Sequence, residues 1–283
     1  MAQGSQSRLD KKVPVRPYAA LAASYDQFFA GPQSVWRRAR RNILEPVFSQ
    51  VNTVCDLACG TGVTALGFAR RGRRVYAVDK SPAMCRLLRQ KAKRARVRLH
   101  VSQGDMRSLR LPELVDLVTC EFHSLNHLQR PKDLARALSC VCSALRPGGY
   151  FFFDVAHAAL YQGASAENRC YDSADLFSLR GYEFDRARGK AQFAATWFVR
   201  QGAGWRRFDE KIDQVPWSRR QVVKALRSAG FRAIRCHDGA EFLPKTEARG
   251  RHAWLSFYLV RKSGVVHREA PRATGRKLLS AGK

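Results

Sequence analysis

The sequence predicts an α/β protein built on a doubly wound, mostly parallel sheet of seven strands. Three observations support this fold. Short apolar runs alternate with helical patterns of about ten to fifteen residues, a glycine-rich turn follows the first apolar run, and the alternation changes after Asp154. The chain has 283 residues, 45% hydrophobic and 26% charged, as in globular proteins with a buried core. We therefore expect one core domain with added segments.

The N-terminal part is predicted to form a helical cap. Residues 1–17 are polar and basic, so we expect a flexible basic arm there. Within 18–50, apolar and aromatic residues from Tyr18 to Phe29 recur at spacings of three and four, and a second such pattern covers Ser34 to Phe48. The two patterns predict two helices before the first strand.

Residues 51–155 are predicted to form the core of the sheet. Strand and helix patterns alternate here, so neighbouring strands should run parallel with helices over both faces, as in a Rossmann-like fold. The predicted strands are Thr53–Leu57, Arg74–Val78, Val97–Gln103, Val115–Cys120 and Tyr150–Val155. The predicted helices are Gly62–Arg71, Ala83–Lys93 and Leu134–Ala144.

An antiparallel insertion is predicted over 156–215, after the fifth strand, because strand patterns are joined there by glycine-containing turns. The predicted strands are Leu179–Phe184, Ala191–Arg200 and Trp205–Val215. We expect this insertion to determine the choice of substrate. Its aromatic residues either line a substrate pocket or form a small core. These residues are Trp197, Phe198, Trp205 and Phe208, and we expect two of the four in a core.

Residues 216–262 are predicted to complete the sheet. A helix should begin at Ser218, which forms a capping box with Gln221, and end at Gly230. Two strands follow, Phe231–His237 and Ala253–Val260. The last segment, 263–283, is basic and poor in apolar residues, so a disordered tail is predicted.

Several classes of protein are excluded by composition. No run approaches the roughly 20 apolar residues that cross a bilayer, so we expect no membrane partner. No signal-peptide core is recognisable near the N-terminus. The eight cysteines include no C-x-x-C pair. We therefore expect reduced thiols in the cytoplasm, with neither a disulfide framework nor a metal site.

The charge is unusually positive. Fifty-one Lys and Arg residues against 23 Asp and Glu residues give a net charge of +28, which makes polyanions candidate partners. The basic residues are spread over nearly every segment, and the densest stretch, 86–98, also fits the solvated face of a helix. A nucleic acid is therefore the alternative partner, and a small molecule the favoured one. The oligomeric state does not follow from the sequence.

The most informative motif follows the first predicted strand. In V-C-D-L-A-C-G-T-G-V-T-A (54–65), Gly60 and Gly62 allow the backbone to approach a ligand at a helix N-terminus. Asp56, four residues before the first glycine, would lie close to the pyrophosphate of a dinucleotide, which is unfavourable. The ammonium and sulfonium groups of S-adenosylmethionine would instead be attracted by this carboxylate.

Two further acids follow the next two strands. Asp79 ends the second strand, where a carboxylate can accept hydrogen bonds from two ribose hydroxyls. Asp105 follows the third strand and is suitably placed to accept from an adenine amino group. Singly, each acid could be only a helix cap and each glycine only a turn. In this order, the three acids predict one cofactor crevice at the carboxyl ends of the strands.

These motifs resemble those of class I S-adenosylmethionine-dependent methyltransferases. The resemblance covers roughly Tyr18 to Lys262 and is most specific in D-L-A-C-G-T-G (56–62), V-Y-A-V-D (75–79), Q-G-D-M (103–106) and L-R-P-G-G (145–149). The opening Tyr25-Asp26, the stretch F-H-S-L-N-H-L (122–128) and the insertion are similar to small-molecule N-methyltransferases, such as glycine N-methyltransferase and the aminosugar N,N-dimethyltransferases. Ala58 stands where the family's commonest loop has its first glycine, a frequent variant.

The resemblance implies an enzyme that transfers a methyl group from S-adenosylmethionine to a small-molecule nucleophile, an amine above all, by in-line displacement. It also implies that Tyr25 folds over the cofactor from the N-terminal helix. The predicted cofactor-binding residues are Tyr25, Asp56, Ala58, Gly60, Gly62, Asp79, Lys80, Met84, Asp105, Met106 and Cys120.

Three residues after the fourth strand are catalytic candidates: Glu121, His123 and His127. A protonated amine must lose a proton before methyl transfer, and carboxylate or imidazole groups can accept it. His123 is the first candidate for contact with the substrate. In the structural alternative, His127 packs within or caps a helix and Glu121 faces solvent. A fixed general base is not obligatory for this reaction.

Two other functions remain as alternatives. RNA or other nucleic-acid methylation is suggested by the charge, but 120–123 lacks the N/D-P-P-Y/F box of amino-methylating enzymes. Cys120 could serve as a cytosine-5 nucleophile, although its context does not match. A binding protein without turnover is the third hypothesis, and the intact glycines and acids argue against it.

Overall fold

The computed structural model describes residues 25–164, 168–244 and 254–264. The predicted arm, the start of the cap at Tyr18 and the tail from 265 onward lie outside these residues. Within the described ranges, no helix combines the length and the apolar character needed to cross a membrane.

The described residues form eleven strands and six α-helices. The strands are β1 Thr53–Leu57, β2 Arg74–Asp79, β3 His100–Gln103, β4 Val115–Cys120, β5 Leu145–Ala156, β6 Arg169–Ser173, β7 Leu176–Asp185, β8 Lys190–Gln201, β9 Gly204–Gln214, β10 Phe231–Asp238 and β11 Leu255–Lys262. The helices are α1 Tyr25–Leu44, α2 Val63–Ala69, α3 Pro82–Arg94, α4 Pro131–Ala144, α5 Ala158–Ala164 and α6 Arg219–Ser228.

Seven strands form the central sheet in the order β10-β11-β5-β4-β1-β2-β3. Strands β1 to β5 pair in parallel, and β11 is antiparallel to both β5 and β10. Helices α1, α2 and α3 pack on one face of the sheet, and α4 and α6 on the other. The predicted fold class is therefore confirmed, because buried strands separated by amphipathic helices can hide both faces only in this layered arrangement.

The N-terminal helices differ from the prediction. Where the sequence pattern predicts two helices, α1 runs without a break through Gly31 and Pro32. Proline inside a helix costs about 3 kcal/mol. The next turns bury Val35, Trp36 and Ala39 against the sheet, so tertiary packing outweighs the local breaking signal. A six-residue 3-10 segment follows α1 and leads into β1.

The insertion forms a separate four-stranded antiparallel sheet in the order β6-β7-β8-β9. The prediction of three strands missed β6, whose sequence R-C-Y-D-S shows no apolar alternation, and it also missed α5. Trp197 is 1% exposed and lies in a small core, whereas Trp205 is 50% exposed. The aromatic residues are therefore divided between core and surface.

The last elements follow the prediction closely. Ser218 and Gln221 form the predicted capping box of α6, and Gly230 follows the helix with a φ of +99°.

Strand β5 begins five residues before the predicted start at Tyr150, with an irregular register opposite β4. The motif L-R-P-G-G (145–149) is thus part of an irregular strand.

Candidate functional site

The loop between β1 and α2 brings the backbone to the carboxyl edge of the sheet. Ala58, Gly60 and Gly62 all have positive φ, at 55°, 53° and 84°. A Cβ on Gly62 would lie 2.1 Å from Leu88 Cδ1, so this glycine allows α2 to pack closely on α3. A Cβ on Gly60 would meet no atom within 4 Å. The open space for a ligand therefore lies over Gly60.

Asp79, at the end of β2, stabilises this loop through hydrogen bonds to its backbone. Its Oδ2 accepts a hydrogen bond from the Gly60 N–H at 2.8 Å, and its Oδ1 accepts from the Ser81 N–H at 2.7 Å. Burial raises the pKa of Asp79, and these two hydrogen bonds oppose the rise. Since a carboxylate has about four acceptor positions, both oxygens can still accept from ligand hydroxyls.

Asp56 lies beneath the loop and is only 3% exposed. Its Oδ1 accepts from Thr119 Oγ1 at 2.9 Å. Burial first, and the charge of Glu121 second, raise the pKa of Asp56 to about 7. Asp56 is therefore a supporting group under the crevice, and half-protonated near neutral pH.

The third predicted acid is engaged by cations of this chain. Asp105 Oδ2 lies 2.7 Å from Arg107 Nη2 and 3.5 Å from Lys80 Nζ, and its Oδ1 accepts from the Arg107 Nε and backbone N–H. Hydrogen bonding to Arg107 lowers the pKa of Asp105 far below its usual range. Its predicted contact with adenine stays a prediction, with most acceptor positions already occupied.

The remaining predicted cofactor residues are mostly internal. Met84 and Cys120 are buried at 2% and 0% exposure, and Met106 packs against the same core as Cys120. Burial raises the pKa of the Cys120 thiol strongly, which does not suit a nucleophile. Tyr25 begins α1, and its side chain lies outside the described residues. The next residue, Asp26, accepts from Thr61 Oγ1 in the loop and pairs with Lys91.

Glu121, directly after β4, is buried and does not face solvent. Its Oε2 lies 2.6 Å from Arg40 Nη1 of α1, which also donates to Thr64 Oγ1 at 2.8 Å. Burial raises the pKa of Glu121, and the guanidinium of Arg40 opposes that rise. The contact joins the N-terminal helix to the end of the central strand.

His123 and Asp154 form a buried pair beside Glu121. Asp154 is fully buried in β5 and accepts from the His123 N–H at 2.9 Å, and the ring Nε2 of His123 lies 3.7 Å from the same oxygen. Burial raises the pKa of Asp154 to about 7 and lowers that of His123 to about 3. The imidazole is therefore neutral, and its buried Nε2 makes no hydrogen bond within the described residues.

The turn that carries His123 has an unusual backbone. Phe122 and His123 have φ values of +59° and +57°, a conformation that costs a side-chain-bearing residue roughly 1 to 2 kcal/mol. Trp36 of α1 stacks on Phe122 at 4.4 Å between ring centroids and meets the His123 ring edge-on at 5.2 Å. Strain of this kind is typical of functional sites, where packing keeps a side chain in a required position.

His127, the third catalytic candidate, lies next to a structural anchor. The neighbouring Asn126 donates to the carbonyls of Ala156 and Val215 at 2.8 and 2.7 Å and accepts from the Ala156 N–H at 3.0 Å. His127 Nε2 lies 3.4 Å from Gln214 Nε2 of β9, and burial lowers its pKa to about 4. It therefore contacts the insertion.

Arg40, Trp36 and Asp154 are site residues that the sequence did not indicate. Arg40 is one of several arginines in a basic stretch, and only the fold selects it. Asp154 does carry a signal, since an acid within an apolar strand needs a partner or a function.

Comparisons with known proteins agree with this geometry. Residues 54–149 match the family model described as a methyltransferase domain. An S-adenosylmethionine-dependent methyltransferase from Clostridium acetobutylicum ATCC 824 superposes with a TM-score of 0.73 at 23% identity, covering 88% of this chain and all of that one. YqeM of Bacillus subtilis (strain 168), provisionally named a methyltransferase, is 25% identical over 77% of this chain and 87% of that protein.

A third relative is an N,N-dimethyltransferase. The dTDP-3-amino-3,4,6-trideoxy-alpha-D-glucopyranose N,N-dimethyltransferase of Streptomyces venezuelae is 29% identical over 128 residues, which are 44% of this chain and 52% of that enzyme. Other matched relatives include O-methyltransferases, so the relatives differ in the atom that receives the methyl group.

Proposed function

Since the chain is a class I S-adenosylmethionine-dependent methyltransferase, we propose that it methylates an amine of a small molecule by in-line displacement. The observation that carries the proposal is Asp154. Its carboxylate is fully buried, and no Lys or Arg of the described residues lies within ion-pair distance of it. A buried acid without a cation favours a ligand that brings one.

The crevice fits S-adenosylmethionine. Gly60 leaves room over the loop, and Asp79 keeps free acceptor positions for two ribose hydroxyls. When bound, this cofactor supplies a methyl group made electrophilic by a positively charged sulfur. The chain's part is to bind and orient the acceptor and to exclude water.

The buried charges beside this crevice favour a cationic acceptor. Three carboxyl groups, those of Asp56, Glu121 and Asp154, are compensated by the single guanidinium of Arg40 within the described residues. His123 does not add positive charge, because burial lowers its pKa to about 3. An alkylammonium ion would offset part of this negative charge, whereas a carboxylate or phosphate would add to the repulsion.

Binding of the amine and removal of its proton are assigned to two different side chains. An imidazole with a pKa of about 3 is a poor proton acceptor at neutral pH, so His123 Nε2 serves to accept a hydrogen bond from the amine and orient it. Asp154, with its pKa raised to about 7, is the group matched to take the ammonium proton. The amine then presents its lone pair.

The test uses two acceptors that differ in one group. Purified enzyme is incubated with S-adenosylmethionine and either an amino sugar or the same sugar with a hydroxyl in place of the amine, and methylated product is measured by mass spectrometry. We expect transfer to the amine only. Equal or preferential methylation of the hydroxyl compound would overturn the proposed substrate class.

A variant tests the residue that carries the proposal. Asp154→Asn should lower kcat/KM for the amine by roughly 10- to 100-fold, the loss of one charge-assisted hydrogen bond, and leave the affinity for S-adenosylmethionine unchanged. The matched control is Asp172→Asn on the exposed strand β6, which should behave as wild type. Unaltered turnover in Asp154→Asn would show that Asp154 takes no part in the reaction.

We further expect the enzyme to act in the cytoplasm on a small molecule. All eight cysteines lie in the described residues, and none forms a disulfide, which suits a reducing compartment. Cytosine-5 methylation is not supported, because the Cys120 thiol is buried in the core.

A further inference from the structure

The amino-terminal edge of the sheet carries a basic groove of about 900 Å³. It lies between the carboxyl ends of α2 and α3 and the starts of β2 and β3. Four exposed cations line this basic groove without an ion pair to any described residue: Arg70, Lys93, Arg96 and Arg98. No Asp or Glu is among the described residues that line it. The basic groove therefore carries four positive charges that no described acidic residue pairs with.

Three further arginines shape the walls of the basic groove and are held in place. The Arg73 guanidinium lies 4.6 Å from the centroid of the Phe48 ring, Arg74 pairs with Glu113 at 2.8 Å, and Arg89 donates to the Val101 carbonyl at 2.8 Å. These contacts fix the positions of the wall residues, so the four exposed cations project from an ordered support.

The backbone at Arg96 points to a function for its side chain. Arg96 follows the end of α3 with a φ of +53°, a position where glycine is normally preferred. The corresponding residue after α6 is indeed a glycine, Gly230, with a φ of +99°. An arginine that breaks a local preference without a local contact is expected where its side chain is needed.

The composition of the basic groove favours phosphates. Six of its seven Lys and Arg residues are arginines, whose planar guanidinium matches phosphate oxygens better than a lysine does. None of the exposed large apolar residues of the described chain lies in it, so it offers no group to enter a lipid layer. The segments outside the described ranges at both ends carry more basic than acidic residues, so neither complements its charge.

We propose that the basic groove binds the phosphodiester backbone of a nucleic acid. Binding there is independent of the methyl-transfer reaction, because the basic groove and the cofactor crevice lie at opposite ends of β2. Arg74 and Asp79 are five residues apart on that strand, or roughly 17 Å at about 3.3 Å per residue. The bound nucleic acid is thus a docking partner, and its bases are not presented to the cofactor.

The test compares two variants of equal net charge. The groove variant carries Arg70→Gln, Lys93→Gln, Arg96→Gln and Arg98→Gln. The control variant carries Arg219→Gln, Arg220→Gln, Lys224→Gln and Arg227→Gln on the exposed face of α6. Each lowers the net charge from +28 to +24. Binding of a fluorescent RNA hairpin to the full chain is measured by anisotropy over about 50 to 200 mM salt.

We expect the Kd of the groove variant to rise about 10- to 100-fold and its salt slope to fall by about 3.6, near 0.9 for each of the four lost phosphate contacts. The control variant should stay within about twofold of wild type. If both variants bound RNA equally weakly, the loss would be explained by net charge alone, and the proposal would be overturned. So would an absence of RNA binding by wild type, or groove-dependent binding of phosphatidylserine vesicles with no binding of RNA.

A single substitution separates binding from folding. Arg96→Gly should raise Tm, because glycine takes the positive φ without strain, and should weaken RNA binding severalfold through loss of one phosphate contact. Unchanged RNA affinity in Arg96→Gly would contradict the role assigned to this side chain, whatever its Tm.

Discussion

At the residue scale, three acids that lie at or near the ends of successive strands differ in their surroundings. Asp56, Asp79 and Asp105 each follow or end a parallel strand, and the sequence alone places all three at one crevice. In the structure, Asp56 is buried beneath the loop, Asp105 is bound by Arg107, and Asp79 keeps free acceptor positions beside the loop backbone. We therefore propose Asp79 as the acceptor for the cofactor's ribose.

Asp79→Ala is predicted to weaken binding of S-adenosylmethionine by roughly 1 to 3 kcal/mol, the range for a charge-assisted acceptor. It also frees the Gly60 N–H, which loosens the loop. Calorimetry on the purified variant measures the loss. Asp105→Ala is the comparison and should have the smaller effect, because its carboxylate is already occupied. A larger effect of Asp105→Ala would reverse these assignments.

The buried carboxyl of Asp154 is predicted to make stability depend on pH. Its pKa is about 7 in the folded protein against 3.8 as the usual value, so the folded state binds the proton more tightly. The resulting stabilisation is complete below pH 3.8 and is lost as the pH rises through 7. Asn carries no such proton.

The free energy of unfolding of Asp154→Asn, minus that of wild type, should therefore increase between about pH 4 and 7 by at least about 1 kcal/mol, and then level off. Urea unfolding at several pH values measures this difference. A difference that does not vary with pH would mean that the Asp154 pKa is not raised.

At the element scale, α1 is part of the site as well as a cover for the sheet. Its first turn carries Asp26, which contacts Thr61 and Lys91, and its fourth and fifth turns bring Trp36 and Arg40 to the buried pair and to Glu121. Because these contacts join one helix to both the cofactor loop and the end of β4, docking of α1 and completion of the site occur together.

Arg40→Met should destabilise the fold by about 3 to 5 kcal/mol, because the Glu121 carboxylate then stays buried without its partner. Adding Glu121→Gln should recover part of that loss, since the uncompensated charge is removed. Urea unfolding of wild type, both single variants and the double variant gives the coupling energy. Arg37→Met, at an exposed position of the same helix, is the control. A coupling near zero would show that the ion pair contributes nothing to stability.

At the scale of the whole molecule, the two edges of the sheet carry opposite charge. The carboxyl edge holds buried acids, and the amino edge holds the basic groove. The net charge of +28 is therefore unevenly distributed. The two proposals place a cationic small molecule at one edge and a polyanion at the other, at sites separated by the length of a strand.

Much of the fold was predictable because its signals are local. Alternating apolar runs and helices specify a parallel sheet, and glycines at positive φ mark the loop after β1. The continuous helix across Pro32 and the exposed strand β6 were not predictable. In the first case packing outweighs a local breaking signal, and in the second the strand is formed by pairing with β7 alone.

The sequence by itself determined the fold class and the glycine-rich loop after β1, because residues adjacent in the chain specify these features. Only the tertiary structure decided which side chains act together: Arg40 meets Glu121 across 81 residues, and His123 meets Asp154 across 31. It also decided their protonation. The pKa values of these groups depend on burial and on charges brought close by folding, and neither quantity exists before the chain has folded.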